Sequence, residues 1–182
     1  MIDYQQYLAA VERASAMLTH AGFVITPAER EHFEVADFGL RELEKTGLQI
    51  ITYVNTERCC AKEIIMFPHQ TCPEHKHPTV GSNLGKEETF RCRWGTVYLY
   101  IPGSAVPKPA CRPPAGSEPH YTVWHEVRLK PGDQYTLFPD TSHWFQAGSE
   151  GAIVSEFSTR STDEADVFTD PRIQRIPVVA KE

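Results

Sequence analysis

The sequence lacks several features that would each indicate a particular class of protein. No apolar run approaches the roughly 20 residues that a transmembrane helix needs, so we expect no membrane association. The N-terminus carries acids and an arginine where a secretory signal has a basic and then an apolar segment, so we expect a cytoplasmic protein. The 18 lysines and arginines form no cluster and the net charge is −6, which argues against nucleic acid as a partner.

The cysteines indicate neither a disulfide framework nor a cysteine-bound zinc ion. There are five of them, an odd number, and the neighbours Cys59 and Cys60 cannot readily pair with each other. No two cysteines have the C-x-x-C spacing of a zinc site. Because 182 residues are enough for one well-filled core but few for two, we expect a single domain.

Two segments near the N-terminus have helical patterns. Apolar residues recur at three- and four-residue spacing over residues 3–21, which predicts an amphipathic helix. Residues 26–29 (TPAE) supply a capping hydroxyl, a proline at the first helical position and a glutamate three residues after the cap. They predict a second, short helix that ends near Gly39 or Gly47.

From residue 48 onward the pattern is that of short β-strands separated by proline, glycine or asparagine. The β-rich stretches are LQIITYVN, AKEIIMF, ETFRCRW, TVYLYI, YTVWHEVRL, QYTLF and AIVSEFS. No helical pattern intervenes, so we predict an antiparallel barrel or sandwich. The proline-rich segment 102–120 cannot be a central strand, and we expect it to be a long exposed loop. The tail from Ser161 onward is expected to fold back over the barrel.

Four residues form a candidate metal site. His75 and His77 are two residues apart on an extended segment, so their side chains point the same way. The next predicted strand places four side chains on one largely apolar face: Glu88, Phe90, Cys92 and Trp94. A carboxylate there is costly to desolvate unless a cation compensates it. His143 follows a turn that could present it to the same cavity.

Each member of this set also has a simpler interpretation. A lone H-x-H pair is often exposed or hydrogen-bonded, Glu88 could pair with an arginine, and His143 could hydrogen-bond within its turn. The joint arrangement favours the metal site. Three imidazoles and one carboxylate suit manganese, iron, cobalt, nickel or zinc, and ligand softness does not choose among them.

These residues carry a resemblance to a known family. His75-Lys-His77, then Glu88 and Gly95, resemble the first cupin motif, and residues 131–143 resemble the second. The gap between His77 and Glu88 is longer than in most cupins. That gap, HKHPTVGSNLGKEETFRCRWG, together with ADFGLRELEKTG upstream and the sequence after His143, is similar to the D-lyxose isomerase family.

The resemblance implies a mainly β fold, a single jelly-roll-like cupin barrel. Residues 1–47 would form an N-terminal helical segment, residues 48–160 the barrel and residues 161–182 a tail packed on it. It also implies a manganese-dependent aldose–ketose isomerase that interconverts D-lyxose with D-xylulose and D-mannose with D-fructose. Co²⁺, Ni²⁺, Fe²⁺ or Zn²⁺ could replace Mn²⁺.

By the same resemblance, the metal ligands are His75, His77, Glu88 and His143. Lys62 matches a lysine beside the substrate, although it could instead be structural at the barrel rim. Arg175 matches a tail arginine that would bind substrate, or it could pair with Asp170.

Isomerisation needs a base within reach of two neighbouring sugar carbons. Glu156, mid-strand in AIVSEFS, is the first candidate, although it could instead pair with Arg160. The tail adds Asp163 as a second catalytic candidate and Asp166 as a substrate-binding one. Glu74 should face away from the cavity by alternation.

Two other functions stay open from the sequence: an iron(II) cupin dioxygenase and a non-enzymatic sugar-binding cupin. A phosphosugar isomerase would need a cationic cluster that is not apparent. By analogy with cupins that pair through sheet edges, we expect a homodimer.

Overall fold

The fold of the computed structural model, which describes residues 2–180, is built on nine strands of one antiparallel sheet. Helix α1 spans Tyr4–His20 and helix α2 spans Pro27–Glu31. Short 3-10 helices lie at Glu118–His120 and Asp163–Ala165. The strands are β1 (Glu34–Ala36), β2 (Leu48–Asn55), β3 (Cys60–Met66), β4 (Thr71–Lys76), β5 (Glu88–Ile101), β6 (His125–Leu129), β7 (Gln134–Leu137), β8 (His143–Ser158) and β9 (Val167–Phe168).

The two longest strands, β5 and β8, pair with each other and join the rest of the sheet. Strand β8 pairs with β4 near its start and with β3 near its end, giving the order β1-β2-β3-β8-β4-β9. Strand β5 pairs with β7 through its first residues and with β6 through its last ones. This curled sheet confirms the mainly β barrel expected from the sequence.

A close backbone approach lets β5 and β8 bend together. Gly95 and Gly151 both have positive φ, at 70° and 92°, and the β5–β8 register shifts on either side of Gly95. A Cβ added at Gly95 would lie 2.1 Å from the carbonyl oxygen of Gly151, so no larger residue fits there. The register shift between Cys92 and Trp94 is a β-bulge, and it changes which face of the sheet the following side chains of β5 point to. Trp94, expected on the cavity face, instead packs with the cluster under α1 and contacts His20 edge-on.

The helical predictions are confirmed in part. Helix α1 forms where predicted, with Asp3 as its cap, and Thr26 and Glu29 form the expected capping box. Helix α2 ends at Glu31, earlier than predicted. Strand β1 follows, since pairing with β2 there buries Val35 under α1.

Strand β4 was not among the predicted β-rich stretches, although His75 and His77 were placed on an extended segment. It contains Pro73, which lacks the N–H of a sheet ladder. The β4–β8 register shifts between Cys72 and His75, so the proline sits at an irregularity in the pairing. The predicted stretches ETFRCRW and TVYLYI are one continuous strand, β5.

Within residues 2–180, buried apolar residues form three clusters. One fills the barrel, and a second lies between α1 and the outside of the sheet. We define the proline-rich insertion as residues 102–124, between β5 and β6. The third cluster is mainly aromatic and lies beneath this insertion; its members are Tyr100, Cys111, Tyr121 and Trp144. Residues 102–120 contain no strand, as predicted, whereas residues 121–124 were predicted to belong to a strand that begins only at His125. The insertion is not fully exposed, because Cys111 and Tyr121 are buried.

The tail lies against the barrel. Strand β9 pairs with β4, the amide of Gln174 donates to the carbonyl of Phe38, and Val179 bridges to Ile2 near the N-terminus. Within residues 2–180, no helix combines the length and apolar character needed to span a bilayer.

Candidate metal centre and active site

Three buried histidines meet at one end of β4 and β8. His75 on β4 is the register partner of His143 on β8, and His77 follows directly after β4. Their candidate ligand atoms all lie within 4.8 Å of one another. Each Nδ1 has an acceptor: Pro73 O at 2.8 Å for His75, Asp166 Oδ1 at 2.5 Å for His77 and Thr141 O at 2.9 Å for His143.

These acceptors assign the tautomer. A carbonyl or carboxylate beside Nδ1 requires the hydrogen on that atom, so Nε2 is the nitrogen of each ring that a metal would bind, and His77 would release its Nε2 proton on binding. Glu88 Oε1 lies 3.2 Å from His77 Nε2 and 3.1 Å from His143 Nε2. Yet the His143 contact is not aligned as a hydrogen bond, and this buried Nε2 has no hydrogen-bond partner among residues 2–180. The donor set therefore fits a divalent transition metal.

The protonation of the cluster follows from burial and charge. Burial and the two neighbouring imidazoles lower the pKa of His75 well below its ordinary value. Burial also lowers the pKa of His77, but Glu88 and Asp166 outweigh it and raise that pKa to about 9. Burial raises the pKa of Glu88, but Lys86 and His77 outweigh it, so the pKa lies well below its usual range. Glu88 is therefore ionised, as a metal ligand must be.

Lys86 is a functional candidate that the sequence reasoning missed. Its ammonium lies 2.7 Å from Glu88 Oε2 and donates to Glu156 Oε1 at 3.0 Å. Burial lowers the pKa of Lys86, but the two carboxylates outweigh it and hold the pKa well above its ordinary value. Lys86 thus links the metal cluster to a second carboxylate. Its position two residues before Glu88, on the same face of an extended chain, was the signal that could have identified it.

Glu156 faces the cavity from β8 and is only 4% exposed. Besides Lys86, the hydroxyl of Ser158 donates to it at 3.2 Å. The surface pairing with Arg160 that the sequence left open does not occur, because Arg160 pairs with Glu57 at the surface.

Lys62, Asp163 and Arg175 form a charged cluster between β3 and the tail. Lys62 Nζ donates to Asp163 Oδ2 at 2.8 Å, and Arg175 Nη2 donates to the same oxygen at 2.6 Å. Burial raises the pKa of Asp163, but Arg175 and Lys62 outweigh it and lower it well below its usual range. Arg175 also donates to Glu34 at 2.5 Å, whereas Asp170 pairs with Arg172.

Asp166 is placed next to a metal-ligand candidate. Its carboxylate accepts from His77 and lies 4.0 Å from Arg175 Nε. Asp166 therefore orients His77 from behind, in addition to lining the cavity.

One cavity collects these polar groups against an apolar wall. The polar lining residues are Lys62, His75, His77, Lys86, Glu88, Glu156, Asp163, Asp166 and Arg175. The wall is formed by Phe38, Leu48, Ile50, Ile64, Cys72, Phe90, Phe145 and Phe168. Trp124 and His125 do not line it. Their side chains bond to the carbonyls of Tyr121 and Ser104. The cavity thus offers donor atoms for a metal, a separate carboxylate and several cations, with an apolar wall beside them.

Comparisons with known proteins show what the whole chain is similar to. The sequence model of the D-lyxose isomerase family matches residues 114–182. A "D-lyxose/D-mannose isomerase" from Thermosediminibacter oceani is 62% identical over 168 residues, covering 92% of this chain and 93% of that protein. A "D-lyxose ketol-isomerase" from Thermofilum sp. is 59% identical over 179 residues, covering 98% of this chain and 99% of that protein.

Among solved structures, an L-ribose isomerase from Cellulomonas parahominis has a TM-score of 0.82 with 18% identity, covering 98% of both chains. At this identity the likeness concerns the fold, and it confirms the predicted fold class.

Proposed function

The chain belongs to the D-lyxose isomerase family, and we propose that it interconverts D-lyxose with D-xylulose and D-mannose with D-fructose. The reaction would move a proton between C1 and C2 of the open-chain sugar. The observation that carries this proposal is that two members of the three-histidine cluster, His75 and His77, line one cavity together with a second carboxylate, Glu156. Such a pair of groups supports polarisation of a carbonyl and proton transfer beside it.

We assign the metal to His75, His77, Glu88 and His143, with Mn²⁺ as the expected ion. When bound, the metal would polarise the sugar carbonyl and so acidify the neighbouring C–H bond. The hydrogen-bonded Nδ1 atoms hold the three rings in place for this role. The same donor set accepts Co²⁺, Ni²⁺, Fe²⁺ or Zn²⁺.

Glu156 is the proposed base. It is buried, it faces the cavity, and its contact with Lys86 fixes its carboxylate at one end. Asp163 is less suited to the same task, because two cations hold its pKa well below the usual range and weaken it as a proton acceptor. We propose that Asp163 instead holds Lys62 and Arg175 in position.

Lys62 and Arg175 are the proposed contacts to sugar oxygens. Burial lowers the pKa of Lys62. The neighbouring carboxylates of Glu156 and Asp163 outweigh this effect and raise that pKa, so the ammonium is charged. A charged donor here would stabilise negative charge that develops on a sugar oxygen. Asp166 would contribute through His77 and from the cavity lining.

The charge balance of the cavity favours unphosphorylated sugars. Lys62, Lys86 and Arg175 each pair with at least one carboxylate. Among the described residues that line the cavity, no lysine or arginine is left unpaired for a phosphate dianion.

Isomerase activity is tested by incubating the protein with Mn²⁺ and D-lyxose, D-mannose or D-xylulose in D₂O. We expect the paired ketose or aldose to form, with solvent deuterium incorporated at C1 or C2 because the proton passes through Glu156. Lack of conversion by the metal-loaded protein would reject the proposal. Conversion without solvent deuterium would mean that the same hydrogen is transferred, either by a hydride shift or by a base shielded from solvent. Oxygen consumption with iron(II) would favour a dioxygenase.

We also propose a homodimer. Val54 and Phe157 are 38% and 50% exposed and both pair with Ala61, so they form one apolar row on the outside of the barrel. Light scattering of the protein and of a Phe157→Lys variant tests this, since a dimer that uses this surface should dissociate in the variant.

A further inference from the structure

Two side chains lie directly behind the metal ligands. His75 and His143 are register partners, and each has a buried neighbour in sequence, Glu74 and Trp144. Neither neighbour lines the cavity. Both contact the proline-rich insertion instead: Glu74 through Thr122 and Trp144 through the carbonyl of Val123, to which its indole donates at 2.9 Å.

Glu74 is a carboxylate with neutral donors on every side. Its Oε2 accepts from the amides of Thr122 at 2.5 Å and Val123 at 3.1 Å. Its Oε1 accepts from the hydroxyls of Thr122 and Thr169, both at 2.7 Å. Glu74 is 2% exposed, and among residues 2–180 no lysine, arginine or histidine forms an ion pair with it. A buried carboxylate without a cation is costly, so its four hydrogen bonds must hold it in place.

The tail also contacts Glu74 and two of the metal-ligand candidates. The amide of Thr169 donates to the carbonyl of Glu74 at 3.0 Å, alongside the hydroxyl contact. The preceding residue, Phe168, pairs with His75 in β9–β4 register, and its ring stacks on His75 at 5.1 Å. Two residues further back, Asp166 holds Nδ1 of His77.

We propose that Glu74 is a positioning residue for the metal centre. By binding both the insertion and the tail behind β4, it fixes His75 through Phe168 and the strand, and His77 through Asp166. The inference rests on the metal site of the proposed function.

The hydrogen-bond chemistry predicts which replacements Glu74 tolerates. In Glu74→Gln the amide oxygen can still accept from the two backbone N–H groups. The amide nitrogen would face two hydroxyls, which can rotate and accept instead of donating. Glu74→Leu has a similar size but no acceptor, so it removes the acceptor of the part-buried amides of Thr122 and Val123.

The experiment measures Mn²⁺ affinity from the EPR signal of the free ion, together with kcat and KM for D-lyxose. We expect Glu74→Leu to weaken Mn²⁺ binding by about 10- to 100-fold and to lower kcat, as loss of a group that orients a ligand does. Glu74→Gln should bind Mn²⁺ within about twofold of the wild type, because acceptor geometry and not charge is required. Thr169→Val should weaken binding by about threefold, the value of one hydrogen bond.

The matched control is Glu63→Leu. Glu63 is also buried, but it accepts from Ser155 on the other side of the sheet and contacts no metal-ligand candidate. Its Mn²⁺ affinity should be unchanged. Wild-type affinity in both Glu74→Leu and Thr169→Val, or an equal loss in Glu63→Leu, would overturn the proposal. If Glu74→Leu does not fold, Thr169→Val decides. A wild type that binds Mn²⁺ without converting sugars would reject the isomerase function and leave this comparison of affinities intact.

Discussion

The cavity contains two polar clusters that are built differently. The histidine cluster is carried by paired strands, and two of its three Nδ1 atoms bond to nearby backbone carbonyls. The charged cluster of Lys62, Asp163 and Arg175 joins β3 to the tail through side-chain ion pairs, of which Lys62–Asp163 connects residues 101 positions apart. The difference suggests a division of work. Under the proposed function, the strands would supply most of the metal ligands. The tail would complete the part of the cavity that contacts the sugar, and it also supports His75 and His77 through Phe168 and Asp166.

The largest effect should come from removing a ligand of the histidine cluster. His77→Ala should lose Mn²⁺ and lower turnover by about 1,000-fold or more, since metal polarisation contributes several kcal/mol. Metal content and kcat are measured together. The control is His32→Ala, an exposed histidine that should change neither. A fully active, metal-loaded His77→Ala protein would contradict the assignment.

The second prediction separates metal binding from proton transfer. Glu156→Gln should retain Mn²⁺ and lower kcat by about 100- to 10,000-fold, because it removes the base and leaves the ligands in place. Solvent deuterium exchange into D-xylulose should fall in parallel. Glu57→Gln, at a glutamate whose side chain is 81% exposed, is the matched control. Retained turnover in Glu156→Gln would move the base to another residue.

A smaller effect is expected in the charged cluster. Lys62→Met should lower kcat by about 100-fold, as loss of one donor to a developing negative charge does, while metal affinity stays unchanged. Lys130→Met, at an exposed lysine, serves as the control. Loss of Mn²⁺ from Lys62→Met would show that the two clusters are not separable.

The smallest effect concerns stability and its dependence on pH. The folded pKa of Asp163 lies below the unfolded value of about 3.9, so its ion pairs stabilise the fold fully above that pH and lose this effect as the pH falls. Asp163→Asn should therefore cost about 2 kcal/mol of unfolding free energy at pH 7 and progressively less below pH 4. Urea unfolding of both proteins measures the difference in their free energies of unfolding. The other titratable groups are the same in both proteins, so their contributions cancel in this difference. The exposed Glu164→Gln is the control, and a constant gap across pH would exclude this role for Asp163.

Several parts of the molecule could be predicted because short-range interactions determine them. Helix α1 follows from apolar spacing, and the start of α2 follows from a capping box within four residues. His75 and His77 face one cavity, as the two-residue period of an extended chain predicts. The resemblance to a family then extended these local signals to an expected ligand set and activity.

The contacts that complete the site could not be predicted in this way. Lys86 meets Glu156 across 70 residues, and Asp166 meets His77 across 89. Both contacts depend on which strands pair, in which register, and on where the tail lies. The bulge between Cys92 and Trp94 moved Trp94 to the outside of the barrel, although alternation had placed it inside.

The sequence by itself thus determined the class of fold, the first helix and the candidate donors of a metal site, because those depend on residue type and local period. Only the tertiary structure decided how the donors are supported. It placed Lys86 between Glu88 and Glu156, Asp166 behind His77, and Glu74 where the insertion and tail meet. The physical reason is that a buried charge needs partners at about 3 Å, and in a barrel those partners come from segments far apart in the chain.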